Sequence, residues 1–263
     1  MKKLISFILR NIPRKYIQRV SGISLKIIGL FYRGSNVYCP INGKGYRKFL
    51  PYGRVDVRPN ALCPDTLSLE RHRLIWLFLK NKTDFFTSKL KMLHVAPEQC
   101  FMDAFEKTHG KNYITADIES PLAKVKMDIH DIPFEANTFD VTFCNHVMEH
   151  VDDDIQAMSE LHRVLKPGGW GIIQVPFFEP VPEKTYEDDS ITDPKKREEI
   201  FGQDDHVRLY GKDYPERLRQ AGFEVDEVDY IHEMPQDWVK KYALPKDEII
   251  YLVRKASDDQ KGK

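Results

Sequence analysis

The chain has 263 residues, 41% of them apolar and 30% charged, which suits a globular protein with one substantial domain and an appendage. Its four cysteines, at positions 39, 63, 100 and 144, are too few and too scattered for a disulfide framework and point to a reducing, cytoplasmic compartment. Formal charge is zero, yet residues 1–55 carry 12 Lys and Arg and no acid, which leaves 28 bases and 40 acids on the other 208 residues; a basic arm on an acidic body suits a phosphate-bearing surface, and no basic-aromatic repeat favours nucleic acid.

Taken in order, residues 1–33 read as two short amphipathic helices broken at Pro13. The start resembles a signal sequence, but Arg10 interrupts its apolar run and no small-residue cleavage site follows. Ile17, Val20, Ile27 and Phe31 share one face, with Arg14, Lys15, Arg19 and Lys26 around it. That pattern fits either peripheral contact with the inner face of a membrane or packing on the body. No run approaches the ~20 apolar residues needed to span a bilayer. Residues 34–66 hold two half-motifs, Cys39 to Asn42 and Cys63 to Thr66. Two complete C-x-x-C knuckles would predict a zinc ribbon, but Asn42 and Thr66 are not zinc ligands, so the expectation is a small ribbon-like segment without metal.

A helix is expected from Leu67 to Phe86, with Leu67, Leu74, Leu77 and Phe78 inward and Arg71 and Arg73 outward. Strands and helices then alternate, the signature of an α/β sheet. Strands are expected over 92–96, 113–118 and 125–128, with a helix over 101–108. The stretch 139–176 reads as strand, helix, strand, the helix carrying Ile155, Met158, Leu161 and Leu165 as its buried stripe. A polar insertion, 178–212, contains a short helix from Lys195 to Phe201. Asp213 with Glu216 then starts a helix that stops at Gly222. Strands over 223–231 and 248–253 complete a domain spanning 67–256, and 257–263 form a tail.

In an open parallel sheet ligands bind beyond the carboxyl ends of the strands, which directs attention to Asn145 through His150. Asp117, ending the second strand, is placed to accept hydrogen bonds from a ribose diol, and Asp128 to take an exocyclic amine; either alone also suits a turn. The segments MDIHDIPF at 127–134, TFD at 138–140, HVMEHV at 146–151 and RVLKPGG at 163–169 resemble the class I S-adenosylmethionine-dependent methyltransferases of the type 11 group. The resemblance covers residues 90–256. It implies a Rossmann-like seven-stranded, mostly parallel sheet with helices on both faces, with the cofactor's ribose on Asp117 and its adenine at Asp128 and Ile129. The first loop departs from the family's spaced glycines: Ala96, Glu98 and Cys100 occupy those places, and Glu98 is a candidate for the cofactor's ammonium group. The cofactor-facing set is thus His94, Ala96, Glu98, Asp117, Asp128, Ile129 and Asn145.

His146, Glu149 and His150 match H-x-x-E-H, a zinc peptidase pattern, but they follow a buried strand instead of lying within a long helix. Quinone-pathway O-methyltransferases resemble the chain here and place metal ligands on this motif; the reading taken is that Glu149 and His150 fix the turn and hold no metal. His146 is the first candidate base, His206 in the insertion the second, and Arg208 a candidate anion clamp. The function read from the sequence is methyl transfer from S-adenosylmethionine to an oxygen, less readily a nitrogen, of a small-molecule or lipid-linked acceptor. The rivals are a non-catalytic scaffold that has kept the fold and an H-x-x-E-H zinc hydrolase.

Overall fold

The computed structural model describes residues 28–53 and 57–257. The basic arm expected over 1–33 lies outside them up to residue 27, as does the tail from residue 258. The described chain forms two units.

The first unit takes residues up to 84, the short piece 99–101 and the segment 230–248. Strands β1 (Arg33–Cys39) and β2 (Lys44–Tyr46) form one antiparallel hairpin, and β3 (Leu50–Tyr52) and β4 (Arg58–Leu62) form another. Both half-motifs keep a knuckle-like turn: the Gly43 amide donates to the Cys39 carbonyl, and the Leu67 amide to the Cys63 carbonyl. Asn42 and Thr66 are engaged elsewhere, Asn42 donating to the Tyr46 hydroxyl at 2.9 Å and Thr66 to that of Ser68 at 2.8 Å. Helix α1 (Glu70–Lys82) follows, shorter than expected at both ends.

Arg73 corrects the expected orientation of α1. Its side chain is fully buried, and it donates to the carbonyl oxygens of Ala61, Ser68, Tyr242 and Ala243 at 2.5–2.9 Å. The Phe49 ring lies 4.5 Å from its guanidinium carbon. Burial draws its pKa down to about 10, so it keeps its charge at neutral pH and collects four backbone acceptors from three separate stretches. Those bonds are why α1 and 230–248 group with the hairpins, whereas the sequence places residue 67 at the start of the sheet-bearing domain.

The second unit is built on β5 (Met92–Val95), β6 (Tyr113–Asp117), β7 (Val125–Lys126), β8 (Phe139–Asn145), β9 (Leu165–Gln174), β12 (Glu224–Val228) and β13 (Ile250–Arg254). Their order across the sheet is β12-β13-β9-β8-β5-β6-β7, with β13 alone antiparallel to both its neighbours. Helix α2 (Gln99–His109) joins β5 to β6. Helix α3 (Asp154–Val164) joins β8 to β9 and begins where the Asp153 carboxylate accepts from the Gln156 amide at 2.9 Å. Its buried face is Ala157, Met158, Leu161 and Val164; Ile155 is half-buried, and Leu165 has already left the helix to open β9.

Several details differ from the sequence reading. The strand expected over 125–128 shortens to Val125–Lys126, with the Met127 amide still reaching the Asp117 carbonyl. The strand expected over 223–231 ends at Val228, which pairs with Ile250 at the end of β13; beyond that pairing residues 230–233 turn into helix α6 (Tyr230–Glu233), and α7 (Gln236–Lys241) follows. The helix after Asp213, α5 (Tyr214–Gln220), has no cap from that side chain, because the carboxylate accepts instead from the amide and hydroxyl of Thr185 at 2.7 Å. The insertion is a two-stranded hairpin, β10 (Tyr186–Glu187) with β11 (Arg208–Leu209), enclosing α4 (Pro194–Phe201).

Candidate functional site

Parallel strands β5 and β8 run side by side with Val95 opposite Cys144, so Ala96 and Asn145 come to the same edge. Ala96 and His146, just beyond the strands, both take positive φ, 47° and 55°. Side chains with a Cβ rarely adopt this conformation, and it concentrates where chains turn at binding sites. The Ala96 amide donates to the Ala116 carbonyl at 2.9 Å and that of His146 to the Gln174 carbonyl at 2.7 Å, so the sheet itself holds both turns.

On the β5 side, Glu98 is gripped at both oxygens: Asn145 donates Nδ2 to one at 2.9 Å, and His94 Nε2 lies 2.5 Å from the other. His94 is fully buried, its Nδ1 2.8 Å from the Tyr113 hydroxyl, and so both ring nitrogens are engaged within the protein and the ring holds Glu98 in place. Asn145 Oδ1 is buried without a hydrogen-bond partner. At the end of β6, Asp117 Oδ1 accepts from the amides of Glu119 and Ser120 at 2.8 and 2.7 Å, which fixes the carboxylate and leaves Oδ2 available. Asp128 Oδ1 likewise accepts from the His130 amide at 2.9 Å, and that bond, with the His130 ring beside it, holds the carboxyl below its ordinary range. Ile129 is buried, while Ile118, directly after Asp117, is 57% exposed.

On the β8 side, Glu149 is almost wholly buried in the turn before α3. His146 Nδ1 lies 3.3 Å from its Oε1, and His150 Nε2 lies 4.0 Å from the same atom. Glu149 Oε2 and His146 Nε2 have no hydrogen-bond partner. His206 arrives from the insertion: the Val207 amide donates to the Glu149 carbonyl at 2.9 Å, and the His206 and His150 rings stand edge to face with centroids 4.8 Å apart. His206 is fully buried, its Nδ1 2.9 Å from the Phe201 carbonyl and its Nε2 without a partner. Burial lowers its pKa, against the opposing pull of that carbonyl.

The role expected for Arg208 is overturned. Its guanidinium is buried and spends its donors on the carbonyls of Met148, Val151 and Asp152 and on Glu187. It clamps the 148–152 turn to β11, with four of its five N–H donors spent inside the protein. Beneath it Asp154 accepts from Tyr210 and Arg217.

Residues 91–173 match the family model described as a methyltransferase domain. An uncharacterized methyltransferase of Schizosaccharomyces pombe is 33% identical over 88 residues, 30% of this chain and 29% of that protein. A demethylmenaquinone methyltransferase of Staphylococcus epidermidis is 40% identical over 55 residues, 21% of this chain and 22% of that protein. An uncharacterized protein of Methanocaldococcus jannaschii is 32% identical over 120 residues, 42% of this chain and 49% of that protein. The matched segments thus cover less than half of each relative. The family match runs from β5 into β9 of a seven-stranded sheet whose antiparallel strand lies next to one edge, so it is residues 91–173 that are similar to methyltransferase domains.

Proposed function

We propose that the chain is an S-adenosylmethionine-dependent methyltransferase acting on an oxygen, less readily a nitrogen, of a small-molecule or lipid-linked acceptor. The observation that carries this is the row of prepared polar groups along the carboxyl edge of β5, β6 and β8. Bound there, the cofactor would supply a sulfonium-activated methyl group. The residues fit it. Asp117, already fixed by two amides, offers Oδ2 to the ribose hydroxyls. Asp128 and Ile129 flank the adenine position, and exposed Ile118 offers an apolar face to the ring. At the loop where glycines are missing, the charge of Glu98 and the unpartnered Asn145 Oδ1 suit an ammonium group, a substitute for contacts that glycine backbone would make.

His146 serves as base. Its strained backbone sets the ring at the end of β8, Glu149 faces Nδ1 and so favours the proton there, and unpartnered Nε2 is then the atom that accepts the acceptor's proton. The rest of the acceleration comes from alignment of the acceptor with the methyl group. His206, whose Nδ1 is bound to a carbonyl, is the second candidate.

The test is release of S-adenosylhomocysteine with methyl-labelled cofactor and a panel of phenolic and lipid-linked hydroxyl acceptors. Loss of the base should lower kcat in His146→Ala by roughly 10²- to 10⁴-fold with cofactor affinity unchanged. Full kcat in that variant would remove His146 as base. Cofactor binding without turnover on any acceptor would instead favour the non-catalytic scaffold, to which the altered first loop lends weight.

A further inference from the structure

We infer that Glu149, His150 and His206 form a binding site for one first-row divalent cation, assembled when the insertion hairpin lays His206 against the turn after β8. One ligand atom from each lies within 4.8 Å of the other two. The protonation pattern is that of a metal site. His206 Nδ1 faces the Phe201 carbonyl, a pure acceptor, so Nδ1 carries the proton and buried Nε2 presents a lone pair with no hydrogen-bond partner. Metal-bound histidines characteristically donate their other ring nitrogen to a carbonyl or carboxylate in this way. His150 repeats the arrangement, with Nδ1 3.5 Å from the Asp205 carboxylate and 3.3 Å from its carbonyl, and Nε2 toward Glu149.

Glu149 supplies the second argument. A buried carboxylate oxygen with no partner is costly unless an ion or proton neutralises it, and Glu149 Oε2 lies in this state beside two imidazoles at 1% side-chain exposure. Three ligands about 2.0–2.2 Å from a common ion are within reach of a small contraction of this cluster. Two imidazoles and one carboxylate select Zn²⁺, Co²⁺, Fe²⁺ or Mn²⁺ over the oxygen-seeking Mg²⁺ and Ca²⁺. The sequence alone could not build the set, since His206 lies 56 residues beyond His150 and is brought in by tertiary contacts, among them those of Arg208, the bond from Val207 to Glu149 and the contact of Asp205 with His150. His146, one atom away on Glu149 Oε1, stays outside the set, so the base and the cation share one carboxylate. If the methyl-transfer reading holds, an open position on the ion would hold the acceptor's oxygen and lower its pKa.

The experiment is titration of the full chain, stripped with EDTA and free of any affinity tag, with Co²⁺, read by its visible absorption and by metal analysis. One ion per chain is expected, with bands of low-coordinate Co²⁺ that Zn²⁺ abolishes and Mg²⁺ does not. Glu149→Gln and His206→Gln should each weaken binding at least tenfold. His150→Gln, a change at a partly exposed side chain, gives the same reading should the buried variants fail to fold. Absence of a stoichiometric ion, or unaltered affinity in His150→Gln, overturns the site. Cofactor binding by the EDTA-stripped protein is measured separately, so failure of the cation site and failure of the methyl-transfer reading are told apart.

Discussion

At the scale of single residues, the buried charges around the 148–154 turn set how the site is held. Burial raises the Asp154 carboxyl, but the hydrogen bond from Arg217, the charges of Arg208 and Arg217 and the Tyr210 hydroxyl outweigh it and hold the group below its ordinary value of 3.8. A carboxyl depressed in the folded state contributes stability that is complete above the unfolded pKa and is lost as pH falls through the folded one. Asp154→Asn should therefore be less stable than the parent chain above about pH 5, with the gap narrowing below about pH 4. Urea unfolding at pH 7 and pH 3.5 measures it, and a gap independent of pH would refute the assignment. Few of these roles were legible in the sequence. Arg73 and Arg208 occupy positions whose periodicity and loop context read as exposed, and only the carbonyls that other segments bring to them explain their burial.

Among elements, the order β8, α3, β9 was legible because its apolar periods and its acidic helix start reinforce one another, although Leu165, read as part of the helix, opens β9 and Pro167-Gly-Gly lies within that strand. The ends of β7 and β12 were not legible, since a strand stops where its pairing with the neighbouring strand stops, which apolar pattern alone does not show. Gly171 shows how tightly the centre is set. It pairs with Thr142 on one side and Val253 on the other, and a Cβ there would come within 2.5 Å of both the carbonyl and the hydroxyl oxygen of Thr142. Gly171→Ala should thus cost about 1–3 kcal/mol through forced separation of β8 and β9. An unchanged unfolding midpoint would show that the sheet yields more easily than this spacing implies.

For the whole molecule, the α/β class followed from the alternation of strands and helices and the seven-stranded sheet from the family resemblance, while the two-unit division was not legible, because 230–248 joins the hairpins only through tertiary bonds such as those of Arg73. Asp117 and Asp128, the acids expected to meet the cofactor, were picked out by their places at the ends of the second and third strands, and the structure adds the amides that fix their carboxylates. The replacement of glycines by Ala96, Glu98 and Cys100 makes cofactor binding the decisive question. Isothermal titration of the full chain with S-adenosylmethionine, beside Asp117→Ala, tests it most directly. The account predicts one site per chain, weakened roughly ten- to a hundredfold in the variant as a charge-assisted hydrogen-bond pair worth about 1.5–3 kcal/mol is lost. No binding to the parent chain, or equal affinity in Asp117→Ala, would contradict it.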